Sequence, residues 1–431
     1  RLIRNPTGEP NLNNSGEAVF VTTLDGVNMI NNFAVIKYDG SSLSVVGEDG
    51  GTIPQSGGVR YQIDGTPPRL SENGSVAFNA TLAQPGSSQF TEPAIIRVTN
   101  GVPEIVVRQS DDVPGVPNAE FGRFTSFNFD IAPDGDIAFT REFSFLGGGG
   151  GAGLYRESEN GFVAVDTSAV TGAAIDENSG VGRSAPAFDD NGRLVFRAFV
   201  DTNDTSADTA VFRETDNGFE QVVTEGDLLP GASGRALIDP QVSAAAGDGQ
   251  VALFDAGANP TFGLVGKSDG VSAEAIALEQ LFEILGFGET LLTIQPAAIN
   301  GNGDLAFFGS TADTPVCNSS ARCGLFAQSG DDIHLVATQG TRIEFAPGDS
   351  RIFSSMSLSN FGGQSFFNDS EHLIFTAVFS GVENPGTGDT NAVILAKRED
   401  VATPIPLPAS GLLLLSGIGL LWQRRRARQS A

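Results

Sequence analysis

Short apolar runs recur along the first 398 residues, and all but the last follow a glycine turn. Asn13-Asn-Ser-Gly16 leads into Glu-Ala-Val-Phe20, and Ser71-Glu-Asn-Gly74 into Ser-Val-Ala-Phe78. Ala132-Pro-Asp-Gly135, Asp189-Asp-Asn-Gly192, Ala246-Gly-Asp-Gly249 and Asn300-Gly-Asn-Gly303 lead into the same kind of run. A seventh copy, Asn368-Asp-Ser-Glu-His-Leu-Ile-Phe375, lacks the glycine. The six glycines stand 58, 61, 57, 57 and 54 residues apart, and the last step is longer. Asn-Gly and Asp-Gly supply the positive φ of a tight hairpin turn. A three-residue apolar run such as Val-Ala-Phe reads as a strand buried on both faces. The small Ala in most copies predicts a close approach, plausible at a crowded axis.

Each copy continues alike. A second strand follows, such as Ala94-Ile-Ile-Arg97 or Ala210-Val-Phe-Arg213, and ends at another turn, such as Asn100-Gly101 or Asn217-Gly218. A third strand comes next, such as Glu104-Ile-Val-Val107, then a loop rich in Gly, Asp and Pro, then a fourth strand leading to the next glycine turn. Four strands in roughly 57 residues, about seven times over, predict an all-β chain folded as a β-propeller of about seven four-stranded blades over residues 1–398. Six third strands are visible against seven of each other kind. The missing one is expected upstream of Arg1, or else its blade has three strands. Apolar residues without alternation make Ala273 to Leu285 the one plausible helix of this body.

The C-terminus breaks the pattern. A polar linker, 399–404, precedes Ile405-Pro406-Leu407-Pro408-Ala409. The apolar run from Ala409 to Trp422 would make a short helix of about 21 Å, against about 30 Å of bilayer hydrocarbon. Arg424, Arg425, Arg426 and Arg428 follow, and would stay cytoplasmic by the positive-inside rule. The run is marginal as a permanent span and suits a transient anchor better, with an ordinary C-terminal membrane anchor as the alternative.

Composition narrows the partners. The chain carries 52 Asp+Glu against 25 Lys+Arg, a formal net charge of −27, which repels nucleic acid and anionic lipid. Charged residues are 18% and apolar ones 40%, so the chain is globular and not a disordered acidic one. Cys317 and Cys323, the only cysteines, share a polar loop whose spacing could close a small disulfide ring. The absence of Met and of a leader before Arg1 predicts a processed or missing N-terminus.

Catalytic constellations are sparse. His334 and His372 are the only histidines, each read as satisfied or solvated. No nucleophile elbow, zinc-protease helix or phosphate loop occurs. Asp201-Thr-Asn-Asp-Thr-Ser-Ala-Asp208 has the oxygen ligands of a calcium loop but not the glycine or terminal glutamate of an EF-hand, so it reads as a polar loop. Gly147 to Gly151 reads as a hairpin tip. No cofactor or metal is expected. Acidic pairs suited to glycoside hydrolysis stay open, because the sequence does not say which carboxylates converge.

Two resemblances go further. The segment 405–431, with its proline motif, leucines and arginines, resembles the VPLPA variant of PEP-CTERM sorting signals, with Ile405 in the place of Val. That resemblance implies export, a transient inner-membrane anchor, processing by an exosortase-type enzyme near the motif, and a final place at the cell surface or in the extracellular polymer layer. The turn repeat resembles the NxxGxxAF tandem-repeat family of secreted bacterial proteins with varied anchors, and the Asp134-Gly135 copy is similar to TolB-type propeller turns. Neither carries over a catalytic residue. The expectation is an exported, non-catalytic binding or structural protein, with exopolysaccharide as its partner. The alternative is a secreted polysaccharide hydrolase or lyase. Carboxylates or an aromatic platform at a channel mouth would favour the alternative, and a channel of small and apolar residues the scaffold.

Overall fold

The computed structural model describes residues 3–397 other than 25–31, 55, 123–127, 146–149, 166–184, 201–207, 231–235, 256–264, 276–292, 312–322, 331, 347–348, 358–365 and 382–389. Within them the chain forms thirty strands in seven antiparallel sheets, each built from consecutive strands. The first strands of the sheets are β1 (Ile3–Leu12), β6 (Arg69–Leu70), β11 (Asn128–Ile131), β15 (Ala187–Phe188), β19 (Pro240–Ala245), β23 (Thr293–Ile299) and β28 (Asp349–Ser357). Second strands are β2 (Ala18–Leu24), β7 (Val76–Ala83), β12 (Ile137–Phe145), β16 (Leu194–Val200), β20 (Val251–Asp255), β24 (Leu305–Ser310) and β29 (Leu373–Gly381). Third strands are β3 (Phe33–Tyr38), β8 (Glu92–Thr99), β13 (Gly150–Ser158), β17 (Asp208–Thr215), β21 (Val265–Ser268), β25 (Cys323–Ser329) and β30 (Thr390–Ala396). Outer strands are β4 (Leu43–Glu48), β9 (Val102–Arg108), β14 (Gly161–Ala164), β18 (Gly218–Thr224), β22 (Ala273–Ala275) and β26 (Asp332–Thr338). Short strands β5 (Arg60–Ile63) and β10 (Ala119–Phe121) extend the pairing of β7 and β12, and β27 (Arg342–Ala346) pairs with β28. The ends of the first strands of six blades, with Phe367 bridged to Leu373 in the seventh, surround one cavity, which marks the inner side of a seven-bladed β-propeller.

The turn that the repeat encodes joins first to second strand in every blade. Leu12 pairs with Ala18, Leu70 with Val76, Ile131 with Ile137 and Phe188 with Leu194. Ala245 with Val251, Ile299 with Leu305 and Phe367 with Leu373 complete the set. Each repeat glycine has positive φ, between +74° at Gly192 and +99° at Gly135. Its N–H bonds to the first residue of the turn, as from Gly74 to the Ser71 carbonyl at 3.1 Å. This is a type I turn closed by a left-handed residue, so the preceding Asn stays right-handed. Asn100-Gly101, by contrast, has positive φ at both residues, +53° and +77°, the two-residue form. In the seventh copy Glu371 takes the glycine's place at φ +55°.

Behind the turns the apolar runs make the core. Val19, Val76, Ile137, Leu194, Val251 and Leu305 are buried, as are Phe20, Phe78, Phe139, Phe196, Leu253 and Phe307. Each such Phe contributes about 1.5–3 kcal/mol by leaving water. The apolar clusters lie between blades. One cluster serves each of the junctions 1–2, 2–3, 3–4, 4–5 and 5–6. A single continuous cluster spans blades 6, 7 and 1, with Phe308, Phe375 and Phe20 among its members.

Four expectations change. The blade is one strand out of phase with the repeat: the strand leading to each glycine turn is the inner strand of the next blade. β29 and β30 correspond to β2 and β3, so the copy without a described outer strand is the last, after Ala396, while the sheet that opens with β1 has all four of its strands. The small alanines are not at the axis. Ala77, Ala138 and Ala252 lie on second strands, paired with Arg97, Arg156 and Lys267. Directly paired residues share a face, so the small side chain leaves room for a long cation that crosses to the next blade. Ala273 opens β22 and not a helix, and the rest of that segment to Leu285 lies outside the described residues. The linker 399–404, and with it the short helix expected from Ala409 to Trp422, also lie outside them. Among the described residues no helix is long and apolar enough to cross a membrane.

Candidate functional site

The cations make a repeated clamp between blades. Lys37 donates to the Gly74 carbonyl at 2.9 Å, Arg97 to that of Gly135 at 2.9 Å, and Arg156 to that of Gly192 at 3.0 Å. Arg213 reaches Gly249, and Lys267 reaches Gly303 at 2.9 Å. Carboxylates complete the clamps: Arg97 meets Glu157 at 2.7 Å, and Arg156 meets Glu214 at 2.9 Å. In blades 6 and 7 the same register holds Ala327 and Leu395. There the apolar cluster through blades 6, 7 and 1 takes over. The turns are therefore held at fixed positions around the axis, and their second residues converge.

Those second residues are Asn14, Glu72, Pro133, Asp190, Gly247, Gly301 and Asp369, one from each blade, and all line the central cavity except Gly247. The cavity leaves about 70 Å³ for water-sized molecules, enough for a few waters. Glu72 accepts from the Asn14 N–H at 3.0 Å, Asp190 from the Gly247 N–H at 2.9 Å, and Asp369 from the Gly301 N–H at 2.5 Å. Asp369 in turn donates its own N–H to the Asn14 side chain at 2.9 Å. A Cβ on Gly301 would stand 2.8 Å from Asp369 Oδ1 and 2.9 Å from Asp190 Oδ2. The two carboxylates thus flank that glycine, and no larger residue fits between them.

The mouth is strongly negative. Burial raises the Glu72 pKa, its bond from Asn14 opposes this, and repulsion from Asp190, Asp369 and Glu17 adds to the rise. Asp190 is raised in the same way, by burial first and then by Asp369, Asp189 and Asp248. Deeper in the wall, Asp130 lies 3.5 Å from Arg69 and accepts from the Phe188 N–H at 2.9 Å. Burial pushes Asp130 up to about 7 against the pull of Arg69. The wall is uneven. At the level of Asp130 it carries Asn11 and Arg69 in blades 1 and 2, but Ala187, Ala244 and Ala298 in blades 4 to 6. Such a mouth can attract cationic groups and accept hydrogen bonds from hydroxyls. Among the described residues no three His, Cys, Asp or Glu side chains are placed to hold a metal ion.

The residues singled out in sequence fall elsewhere. Ile405, Pro406, Leu407, Pro408 and Ala409 lie outside the described residues, as do Arg424, Arg425, Arg426 and Arg428. Cys323 is buried at the start of β25 and is disulfide-bonded. Cys317, the only other cysteine, lies outside the described residues. His334 is on outer strand β26, and His372 is in the seventh turn, where its N–H bonds to Asn368 Oδ1. The acidic loop lies outside the description up to Asp208, which opens β17. Gly150 and Gly151 open β13, paired with Ser144 and Phe143. Sequence reading missed Glu72, Asp190 and Asp369. Their common place, second in the turn, was visible in the aligned repeats.

The chain belongs to a family of unknown function, DUF7453, whose model matches residues 3–269 and 272–402. No functionally curated protein matches it. Solved structures resemble it at low identity. The β-propeller domain of the Trilobed protease from Pyrococcus furiosus is 8% identical with a TM-score of 0.45, covering 91% of this chain and 92% of that one. The Pyrococcus horikoshii acylaminoacyl peptidase is 12% identical with a TM-score of 0.43, covering 88% and 51%. The GH93 α-L-arabinofuranosidase of Fusarium graminearum is 11% identical with a TM-score of 0.36, covering 71% and 88%. Likenesses at this level carry no argument about activity.

Proposed function

We propose that the chain is an exported, non-catalytic β-propeller of the cell surface or extracellular polymer layer, delivered by the sorting signal at 405–431. The observation that carries the location is the order of Ile405 to Ala409, an apolar run too short for a permanent span, and the arginines. The non-catalytic reading is supported by the mouth itself. Glu72, Asp190 and Asp369 each spend an oxygen on the backbone N–H of another blade's turn. Groups tied in this way hold the ring together. The partners in this reading are an exosortase-type processing enzyme and exopolysaccharide, whose hydroxyls suit a rim of acceptors. Nucleic acid is repelled by a net charge of −27.

A second reading, a secreted polysaccharide hydrolase or lyase, is favoured by Glu72 and Asp190, since acids of raised pKa at a channel mouth are what glycoside chemistry uses. One set of experiments separates the two. Mature protein from the native host should end near Pro408, and changing Pro406 and Pro408 to Ala should leave the precursor in the membrane. Recovery of mature protein that retains Arg424 to Arg428 sinks the sorting reading. Host exopolysaccharide should be retained by the purified protein without chain shortening. Release of new reducing or unsaturated ends, lost in Asp190→Asn, establishes the enzyme instead.

A further inference from the structure

Three of the seven turns begin with asparagine, and these three share one geometry. The side-chain Oδ1 accepts from the N–H four residues on: Glu17 to Asn13, Asp304 to Asn300 and His372 to Asn368, each at 2.9 Å. This pins the amide so that Nδ2 points at the next blade. Asn13 donates to the Ser71 carbonyl at 3.1 Å, Asn300 to that of Asn368 at 3.3 Å, and Asn368 to that of Asn13 at 3.0 Å. The acceptor is always the first residue of the next turn. Its oxygen also takes the N–H of its own turn's fourth residue, from Gly74, Glu371 or Gly16. One lone pair serves the turn and the other serves the neighbouring blade.

The fourth turn begins with Asp189 instead. Its Oδ1 accepts from the Arg193 N–H at 2.8 Å and from the Asn191 N–H at 2.9 Å, as the asparagines do. Its Oδ2 therefore stands where they hold Nδ2. Asp189 is 2% exposed, and Oδ2 is buried without a hydrogen-bond partner. The first residue of the next turn is Ala246, whose carbonyl accepts the Gly249 N–H at 3.0 Å. By the pattern of the other turns, its second lone pair faces Asp189. Two acceptors then oppose each other unless one carries a proton.

We infer that Asp189 is a proton-operated latch: its Oδ2–H donates to the Ala246 carbonyl and fastens blade 4 to blade 5 at the channel mouth. The protonated acid does what an asparagine amide does at the other junctions. Ionisation removes the bond and sets a charge against a carbonyl dipole. The surrounding charges mostly favour the proton. Asp190 is adjacent, Asp248 is on the blade 5 turn, and Asp130, Glu72 and Asp369 face the cavity from blades 3, 2 and 7. Arg193 pulls the other way from the same turn, but Asp216 holds its guanidinium at 2.9 Å. Arg156 of blade 3 and Arg213 are committed to the Gly192 and Gly249 carbonyls. Burial also raises the Asp189 pKa, against the bonds from Arg193 and Asn191. A raised acid stabilises the fold fully below its unfolded pKa, about 4, and that contribution is lost as pH rises through the folded value.

The test uses the full chain with Asp189→Asn and Asp189→Ser, the latter copying Ser71 of blade 2. Urea unfolding is followed across the acid-to-neutral range, together with the infrared C=O band of neutral carboxyl groups. The wild type should lose stability with rising pH relative to Asp189→Asn, by about tenfold in the folding equilibrium per unit of pKa shift. Asp189→Asn should also remove one neutral-carboxyl band. Asp189→Ser should be weaker than Asp189→Asn throughout. An Asp189→Asn curve parallel to the wild type, or no band lost with Asp189, overturns the latch. So does an Asp189→Asn chain that fails to fold while Asp189→Ser folds, because the amide mimics the proposed state.

Discussion

Asn368 donates its side-chain amide to the carbonyl oxygen of Asn13 across 3.0 Å, joining residues 355 apart in the chain. Among the described residues no strand is shared between the first and last blades; this bond, the Asp369 N–H to Asn14 bond and the apolar cluster through blades 6, 7 and 1 help to close the ring. Asn368→Ala should cost about 1–3 kcal/mol, because it removes the donor to Asn13 and the acceptor for the Ser370 and His372 N–H groups. Amide hydrogen exchange should then accelerate first in blades 1 and 7. Uniform acceleration across all blades would show that closure does not depend on this residue.

Gly74→Val should destabilise the fold by more than about 1 kcal/mol. Its φ is +85°, and an added Cβ would stand 2.9 Å from Lys37 Nζ, so the substitution strains the backbone and pushes on the clamp together. Denaturant unfolding measures it, and unchanged stability would remove the turn assignment.

Arg97→Met should cost about 1–3 kcal/mol. It leaves the partly buried Glu157 with the Ile137 N–H and strips the Gly135 carbonyl of its cation. A double-mutant cycle with Glu157→Gln should give a favourable coupling energy that falls little with added salt. A coupling of zero would reduce the clamp to packing alone.

Asp130→Asn should flatten part of the pH dependence of stability. The Asp130 pKa is raised to about 7 by burial, so its contribution is complete below about pH 4 and lost as pH rises through about 7. Stability of the wild type should fall across that interval more than that of the variant. Equal slopes would mean that Asp130 is ionised throughout beside Arg69.

Reduction should lower the stability of the chain by about 2 kcal/mol if the bond at Cys323 closes only the short loop to Cys317. Intact mass should rise by two hydrogens on reduction. Two free thiols in protein made by native export would contradict the pairing.

Local chemistry along the chain determined much of this protein. The blade number, the strand order and the left-handed glycines all follow from Gly16, Gly74 and their counterparts, because a turn and the strands beside it are set by neighbours in sequence. The burial of Val76 and Phe78 follows for the same reason. The tertiary structure decided what depends on residues far apart. Ala77 looked like an axial residue, but its cross-strand partner Arg97 makes it the floor of a clamp. The strand before each glycine looked like the end of a repeat, but pairing makes it the start of a blade. Glu72, Asp190 and Asp369 looked like ordinary turn residues. Only closing the ring brings side chains from blades 2, 4 and 7 to one mouth, where burial and mutual repulsion act on charges that are more than a hundred residues apart along the chain.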